Sequence, residues 1–226
     1  MKNGTNRKRI RAAWWIAAGI AVLAVIGAAF LAKRNQEKAR SLPLHEGRRC
    51  IFVGDSRTVC MYWAVMDQQY PGEYFGTDPV YNDVWSCKEG IGFTWMKETG
   101  IPQILDSLDD NSDLFILMGV NDIPAGVYLE DSYLDYLSQE APKWREKGAR
   151  VFYVSVGPIR QTLGNGLTNE RIDAWNQKMK AGLPEGVAFV DGYSQVGEIV
   201  FRDDLHYQTP TNAALHSLLL GIAAGE

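Results

Sequence analysis

The 226-residue chain is 46% hydrophobic and 22% charged, globular proportions that exclude a disordered, collagen-like or disulfide-stapled miniature protein. Its net charge of −4 is unevenly spread: residues 1–40 carry nine Lys/Arg against one acid, residues 41–226 fourteen against twenty-six. So acidic a body would repel nucleic acid, which needs a basic face, and no nucleic-acid partner is expected.

Residues 1–11 form a basic arm. Residues 12–32 (AAWWIAAGIAVLAVIGAAFLA) follow without a single charge. A helix of that length crosses roughly 30 Å of hydrocarbon, and Trp14 and Trp15 would sit in the headgroup zone. The run exceeds a usual signal-peptide core, so a retained transmembrane anchor is expected, with cleavage after Ala29 or Ala32 as the alternative. Basic residues flank both sides, so charge hardly orients the span. The short arm and long acidic domain suggest cytoplasm-in, domain-out, hence a single-pass protein of the cell membrane. Residues 33–47 are polar, contain Pro43 and read as a linker. The domain occupies 48–226.

Strand-like apolar runs at 50–53, 84–87, 114–118, 151–156 and 187–190 alternate with helical periods. A helix is expected from about 59 to 67. Leu129, Tyr133 and Leu137 recur every four residues. Ile172, Trp175, Met179 and Leu183 share one helical face, and a last helix covers about 211–223. Such alternation predicts an α/β fold, a parallel sheet with helices on both faces. Its chemistry belongs at the carboxyl ends of the strands. Cys50, Cys60 and Cys87 form no CxxC pair and read as small buried apolar groups, neither a disulfide framework nor a zinc site.

The segments after the strands carry the candidate chemistry. The first strand runs into Gly54-Asp55-Ser56-Arg57, placing Ser56 at a strand-to-helix turn. Its commonest job there is to cap the helix; the alternative is a nucleophile beside the positive end of the helix. The second leads to Gly90-Ile91-Gly92, whose bare backbone N–H groups could donate to an anion or simply form a turn. Trp95 stands where a dinucleotide motif would need glycine. The third ends in Gly119-Val120-Asn121-Asp122, where Asn121 supplies an uncharged donor or an ordinary turn. Near the C-terminus, Asp203 precedes His206 by three residues and could fix its tautomer, with Asp204 as the competing partner. His216 falls in an apolar helix and reads as structural.

Four blocks in the order Ser, Gly, Asn, Asp/His make the sequence resemble the SGNH hydrolases, also called the GDSL esterase/lipase family. The resemblance spans nearly all of the domain. It maps the family's name residues onto Ser56, Gly92, Asn121 and His206. The first block reads GDSR rather than GDSL, and the second is degenerate, leaving Gly90 as a competitor of Gly92. The resemblance implies a flavodoxin-like three-layer α/β/α fold and a serine esterase using no cofactor or metal. Ser56 would be the nucleophile, His206 the base and Asp203 its orienter. The oxyanion hole would comprise Ser56, Gly92 and Asn121. A carbohydrate or small-acyl ester at the cell surface is the expected substrate. Lipase, lysophospholipase, thioesterase or O-acetyltransferase activity, or a silent membrane-tethered binding module, are the alternatives. Nine aromatics between Tyr62 and Trp95 suit core packing better than ligand stacking, and residues 160–167 (RQTLGNGL) could border the site as a lid or be a plain surface loop.

Overall fold

The computed structural model describes residues 47–69, 72–125 and 129–225. The basic arm, the anchor and nearly all of the linker therefore lie outside the described residues. Among those described, no helix is long and apolar enough to cross a membrane.

Six strands form one sheet: β1 (Arg49–Gly54), β2 (Glu73–Thr77), β3 (Val84–Lys88), β4 (Ser112–Leu117), β5 (Arg150–Val154) and β6 (Val187–Val190), in the order β2-β3-β1-β4-β5-β6. The five anticipated strands are present and mutually parallel. The additional β2 runs antiparallel to β3 at the edge. Its sequence, EYFGT, puts two aromatics side by side and a glycine next to last, so it carries no alternating signal. The fifth strand ends at Val154, two residues earlier than the apolar run suggests.

Among the described residues four long helices pack with the sheet: α1 (Ser56–Met66), α2 (Glu130–Glu146), α3 (Asn169–Gly182) and α4 (Thr209–Ala224). A broken helical run from Phe93 to Ser107 joins β3 to β4; its middle, Met96–Gly100, is wound as a π-helix.

Strand alternation divides the core into two layers. Ile51, Val53, Leu114 and Ile116 face the broken run, α2 and α3, meeting Ile101, Ile104, Tyr133, Leu137, Trp144, Trp175 and Met179. Cys50, Phe52, Trp85, Phe115 and Leu117 face α1 and α4, meeting Met61, Tyr62, Leu215 and Leu219. On that face Trp85, Phe52, Phe115 and Phe152 form a continuous ring row across β3, β1, β4 and β5, with successive centroids 4.4, 5.6 and 4.9 Å apart. Each such contact adds roughly 0.5–1.5 kcal/mol beyond area burial. His216 of α4 is buried against this row, 5.5 Å from the Phe52 ring and 5.7 Å from Trp85, with Nε2 3.8 Å from Asp83. It is a core histidine. The three cysteines are also buried and unpaired, and burial pushes the Cys60 thiol up to about 11.

The topology determines where a site can form. The chain leaves β1 toward β3 on one side and returns to β4 on the other, so the strand order reverses between β1 and β4. At such a switch point the connecting segments diverge and leave a crevice beyond the carboxyl ends. Gly54 is in register with Cys87 of β3 and Leu117 of β4, so β1 and β4 end level and β3 one residue beyond them.

Candidate active site

Asp55 leaves β1 in an extended conformation and caps α1. Its side chain accepts from Arg57 N at 3.0 Å, and its carbonyl accepts from Thr58 and Val59 at 2.9 and 3.1 Å. The capping role considered for Ser56 therefore belongs to Asp55. Ser56 is the first helical residue, and its hydroxyl is released from backbone duty. Asp55 is 2% exposed, and that burial pushes its carboxyl up to about 6. The Arg57 backbone N–H and guanidinium pull in the other direction, while Asp122 adds to the rise.

The freed hydroxyl meets His206. Nε2 lies 2.9 Å from Ser56 Oγ, across 150 residues of sequence. On the far side of the ring, Nδ1 lies 3.1 and 3.0 Å from the two carboxylate oxygens of Asp203. The local chain is wound to make this possible. Phe201 and Tyr207 pair as an isolated antiparallel bridge, and Arg202 N donates to the His206 carbonyl at 2.8 Å. Inside that turn Asp203 Oδ1 accepts from Leu205 N at 2.8 Å and His206 N at 2.7 Å. Burial alone would raise the Asp203 carboxyl. The two backbone N–H donors and the imidazole outweigh it and hold the group well below the usual carboxylate range. Asp203 is thus an anion facing Nδ1; in the tautomer that places the ring proton on Nδ1, Nε2 is left as the lone-pair side toward serine. Asp204 points elsewhere, to Arg160 Nε at 2.8 Å and Gln161 Nε2 at 2.6 Å.

The loops after β3 and β4 converge. Asn121 Nδ2 donates to the Ile91 carbonyl at 2.8 Å, which fastens the residue before Gly92 and leaves a second amide proton for another acceptor. Gly92 starts the broken helical run, and its neighbour Asp122 caps that run from the opposite loop. Both Asp122 oxygens accept from Phe93 N at 3.2 Å, and Oδ2 also accepts from Tyr133 Oη at 2.7 Å. A Cβ on residue 92 would lie 2.2 Å from Asp122 Oδ1, so only glycine fits. Gly90, the competing position, has φ +71°, and a Cβ there would meet nothing within 4 Å, which makes it a turn residue without close neighbours.

Asp122 and Tyr133 are the supports that reading the sequence missed. Asn121-Asp122 looks like a turn, and Tyr133 looks like one more apolar position of α2. The pairing is nonetheless electrostatically marked. Burial raises the Asp122 carboxyl against the hydrogen bonds from Tyr133 and Phe93, and burial raises the Tyr133 phenol well above its ordinary value.

Of the aromatics from 62 to 95, Tyr62 and Trp85 are fully buried, Phe75 is 54% exposed, and Tyr70 lies outside the described residues. Segment 160–167 is tied down by an internal bond, Leu163 N to the Leu167 carbonyl at 3.1 Å, and by Arg160 N to the Asp204 carbonyl at 3.0 Å, with Leu167 buried. Among the described residues, no group of three or more His, Cys, Asp or Glu is placed to hold a metal ion.

No protein-family model matches the chain, and no curated protein does. Solved structures do. A lipase/acylhydrolase from Enterococcus faecalis superposes with a TM-score of 0.55 at 15% identity, covering 79% of this chain and 96% of its own. An acetylxylan esterase from Geobacillus stearothermophilus gives 0.54 at 16% identity, with 82% and 98% covered. A GDSL-like lipase from Bacteroides thetaiotaomicron gives 0.53 at 16% identity, with 85% and 97% covered. The chain thus has the α/β fold with a mostly parallel central sheet found in GDSL-like hydrolases.

Proposed function

We propose that this protein is a serine ester hydrolase that works through an acyl-serine intermediate. The observation that carries the reading is the unbroken chain Asp203 carboxylate, His206 imidazole, Ser56 hydroxyl, with both links near 3 Å. A nucleophile, a base and an orienter in mutual contact are the requirements of acyl transfer.

His206 Nε2 accepts the Ser56 proton as Oγ attacks the ester carbonyl carbon. Asp203 holds the ring in the productive tautomer and stabilises the imidazolium. The carbonyl oxygen becomes an oxyanion. Three donors would serve it: the Ser56 N–H at the start of α1, the Gly92 N–H and the second proton of Asn121 Nδ2. Each donor of this kind is worth about 2.7–4 kcal/mol in the transition state. Collapse breaks the ester C–O bond, and the imidazolium returns its proton to the leaving alcohol. Water, deprotonated by the same His206, then releases the acyl group as a carboxylic acid and restores the serine.

For substrate we favour a carbohydrate or other small-acyl ester. The acetylxylan esterase among the structural neighbours supports it, as does the charge-free segment 12–32, which would hold the domain at the outer face of the cell membrane. Two experiments test these points. A fluorophosphonate probe should label the wild type and not Ser56→Ala; a folded wild type that stays unlabelled overturns the hydrolase. Carbonate washing of membranes should leave the full-length protein in the pellet; release of a shortened protein overturns the anchor.

A further inference from the structure

Arg57 is the residue at which the first block departs from GDSL, and it is 5% exposed. A guanidinium that deep needs acceptors. It finds three, all of them main-chain carbonyls. Nε donates to Leu205 O at 3.1 Å, Nη1 to Gly157 O at 2.7 Å and Nη2 to Pro158 O at 3.2 Å. The cation also lies over the Tyr207 ring, 4.9 Å from its centroid. Tyr207 in turn donates its hydroxyl to Pro158 O. Leu205 and Tyr207 are the two chain neighbours of His206. Arg57 is the chain neighbour of Ser56.

We propose that Arg57 is a positioning residue that fixes the base loop against the nucleophile turn. The loop from Phe201 to Tyr207 is closed by its own hydrogen bonds, which set the imidazole relative to Asp203 but not relative to Ser56. Arg202 also reaches α1, over the Trp63 ring at 5.6 Å, but its side chain is 40% exposed and the contact is the weaker tie. The Ser56 to His206 bond is a single contact that must break and re-form in every turnover, so it cannot also serve as the anchor. Arg57 supplies the anchor from next door. Its planar fork grips the carbonyl before His206 and the post-β5 loop at once, and its face packs on the ring after His206. A leucine would offer none of these donors, and a lysine ammonium cannot match three divergent carbonyls with a rigid plane.

The test uses the full chain with Arg57→Leu and Arg57→Lys. The kinetic arm rests on the hydrolase reading. On p-nitrophenyl acetate, kcat should fall roughly 10- to 100-fold in both variants, because a misplacement of about 1 Å costs that much. KM should stay within about threefold, since Arg57 does not face substrate. The second arm needs no turnover. Amide hydrogen exchange of residues 202–208 should accelerate at least roughly tenfold while that of β6 stays at the wild-type rate. Should Arg57→Leu fail to fold, Arg57→Lys answers the same question. A folded variant with unchanged exchange at 202–208 overturns the proposal, as does unchanged kcat in an active enzyme. A wild type that hydrolyses nothing sinks the esterase reading and leaves the exchange result to decide the role of Arg57.

Discussion

Replacing Gly92 by alanine is the sharpest single perturbation of the oxyanion side. The backbone at 92, φ −135° and ψ −156°, is open to any residue, so the whole effect comes from space. The new methyl would sit 2.2 Å from Asp122 Oδ1 and 3.0 Å from Oδ2. Ordinary contact begins near 3.4 Å, so the two loops must part by about 1.2 Å. Asp122 cannot simply swing aside, because Tyr133 Oη holds Oδ2 at 2.7 Å and Phe93 N holds both oxygens. The loop that carries the Gly92 N–H must give instead. A donor moved by about 1 Å no longer meets the oxyanion at hydrogen-bond distance, and kcat should fall roughly 100-fold, about 2.7 kcal/mol. Gly90→Ala is the matched control. It meets no atom within 4 Å but imposes a side chain at φ +71°, so it should cost about 1–2 kcal/mol of stability and leave turnover intact. Steady-state kinetics on p-nitrophenyl acetate and thermal melts of both variants decide the matter. If Gly92→Ala keeps kcat within about twofold of wild type, or if the two variants exchange behaviour, the donor is not at 92.

His206→Ala should lower turnover by roughly 1,000-fold or more with an unchanged far-ultraviolet spectrum, and wild-type rates would remove it from the mechanism. Asp203→Asn should cost roughly 100- to 10,000-fold through the wrong tautomer, whereas Asp204→Asn, which loses only Arg160 and Gln161, should change kcat less than about threefold; equal losses would leave the orienter unassigned to Asp203. Asp55 gives a pH test of stability. Its folded pKa of about 6 lies above the ordinary value of 3.8, so the folded state holds the proton more tightly. The contribution is fully present below about pH 4 and is lost as pH rises through 6, a swing of about 3 kcal/mol. Asp55→Asn keeps an oxygen to cap Arg57 N and does not titrate, so its melting temperature relative to wild type should climb between about pH 4 and pH 7. A difference that stays flat across that window contradicts the burial argument.

The central parallel strands β1 and β4 were readable because their apolar runs are buried on both faces, and the α2 and α3 helices because Leu129, Tyr133 and Leu137, and Ile172, Trp175 and Met179, recur at helical spacing. The edge strand Glu73–Thr77 was not, since an edge exposed on alternate residues needs no apolar pattern to stay paired. Within the site, Asp203 and His206 stand out because they lie three residues apart in a chain with few histidines, whereas Ser56, 150 residues away, gains its meaning only from the order of the four blocks. Which residue would cap α1 was not decidable from residue types: Asp55 and Ser56 are equally good caps, and only the backbone conformation assigns the task to Asp55. The contrast between Gly92 and Gly90 depends on Asp122, thirty positions from Gly92, whose carboxylate leaves no room at that glycine and never approaches the other. Arg57 was visible as a departure from GDSL but not as a clamp, because its acceptors are carbonyls, and every residue type supplies those equally.

The fold assembles these parts with unequal certainty. Ser56 and Asn121 follow adjacent strands, so the switch point between β1 and β4 brings their loops to the same edge as soon as the sheet forms. His206 has no such guarantee. It comes from a loop after the last strand, and α4, which follows it and packs on α1, buries Leu215 and Leu219 well beyond it in the chain. Something near the reacting atoms must convert the docking of α4 into the correct approach of one imidazole. A guanidinium suits this because it is rigid and satisfies several carbonyls at once. Its placement directly after the nucleophile makes the tether as short as the chain permits, so any shift of α1 carries Ser56 and the anchor of His206 together and preserves their separation.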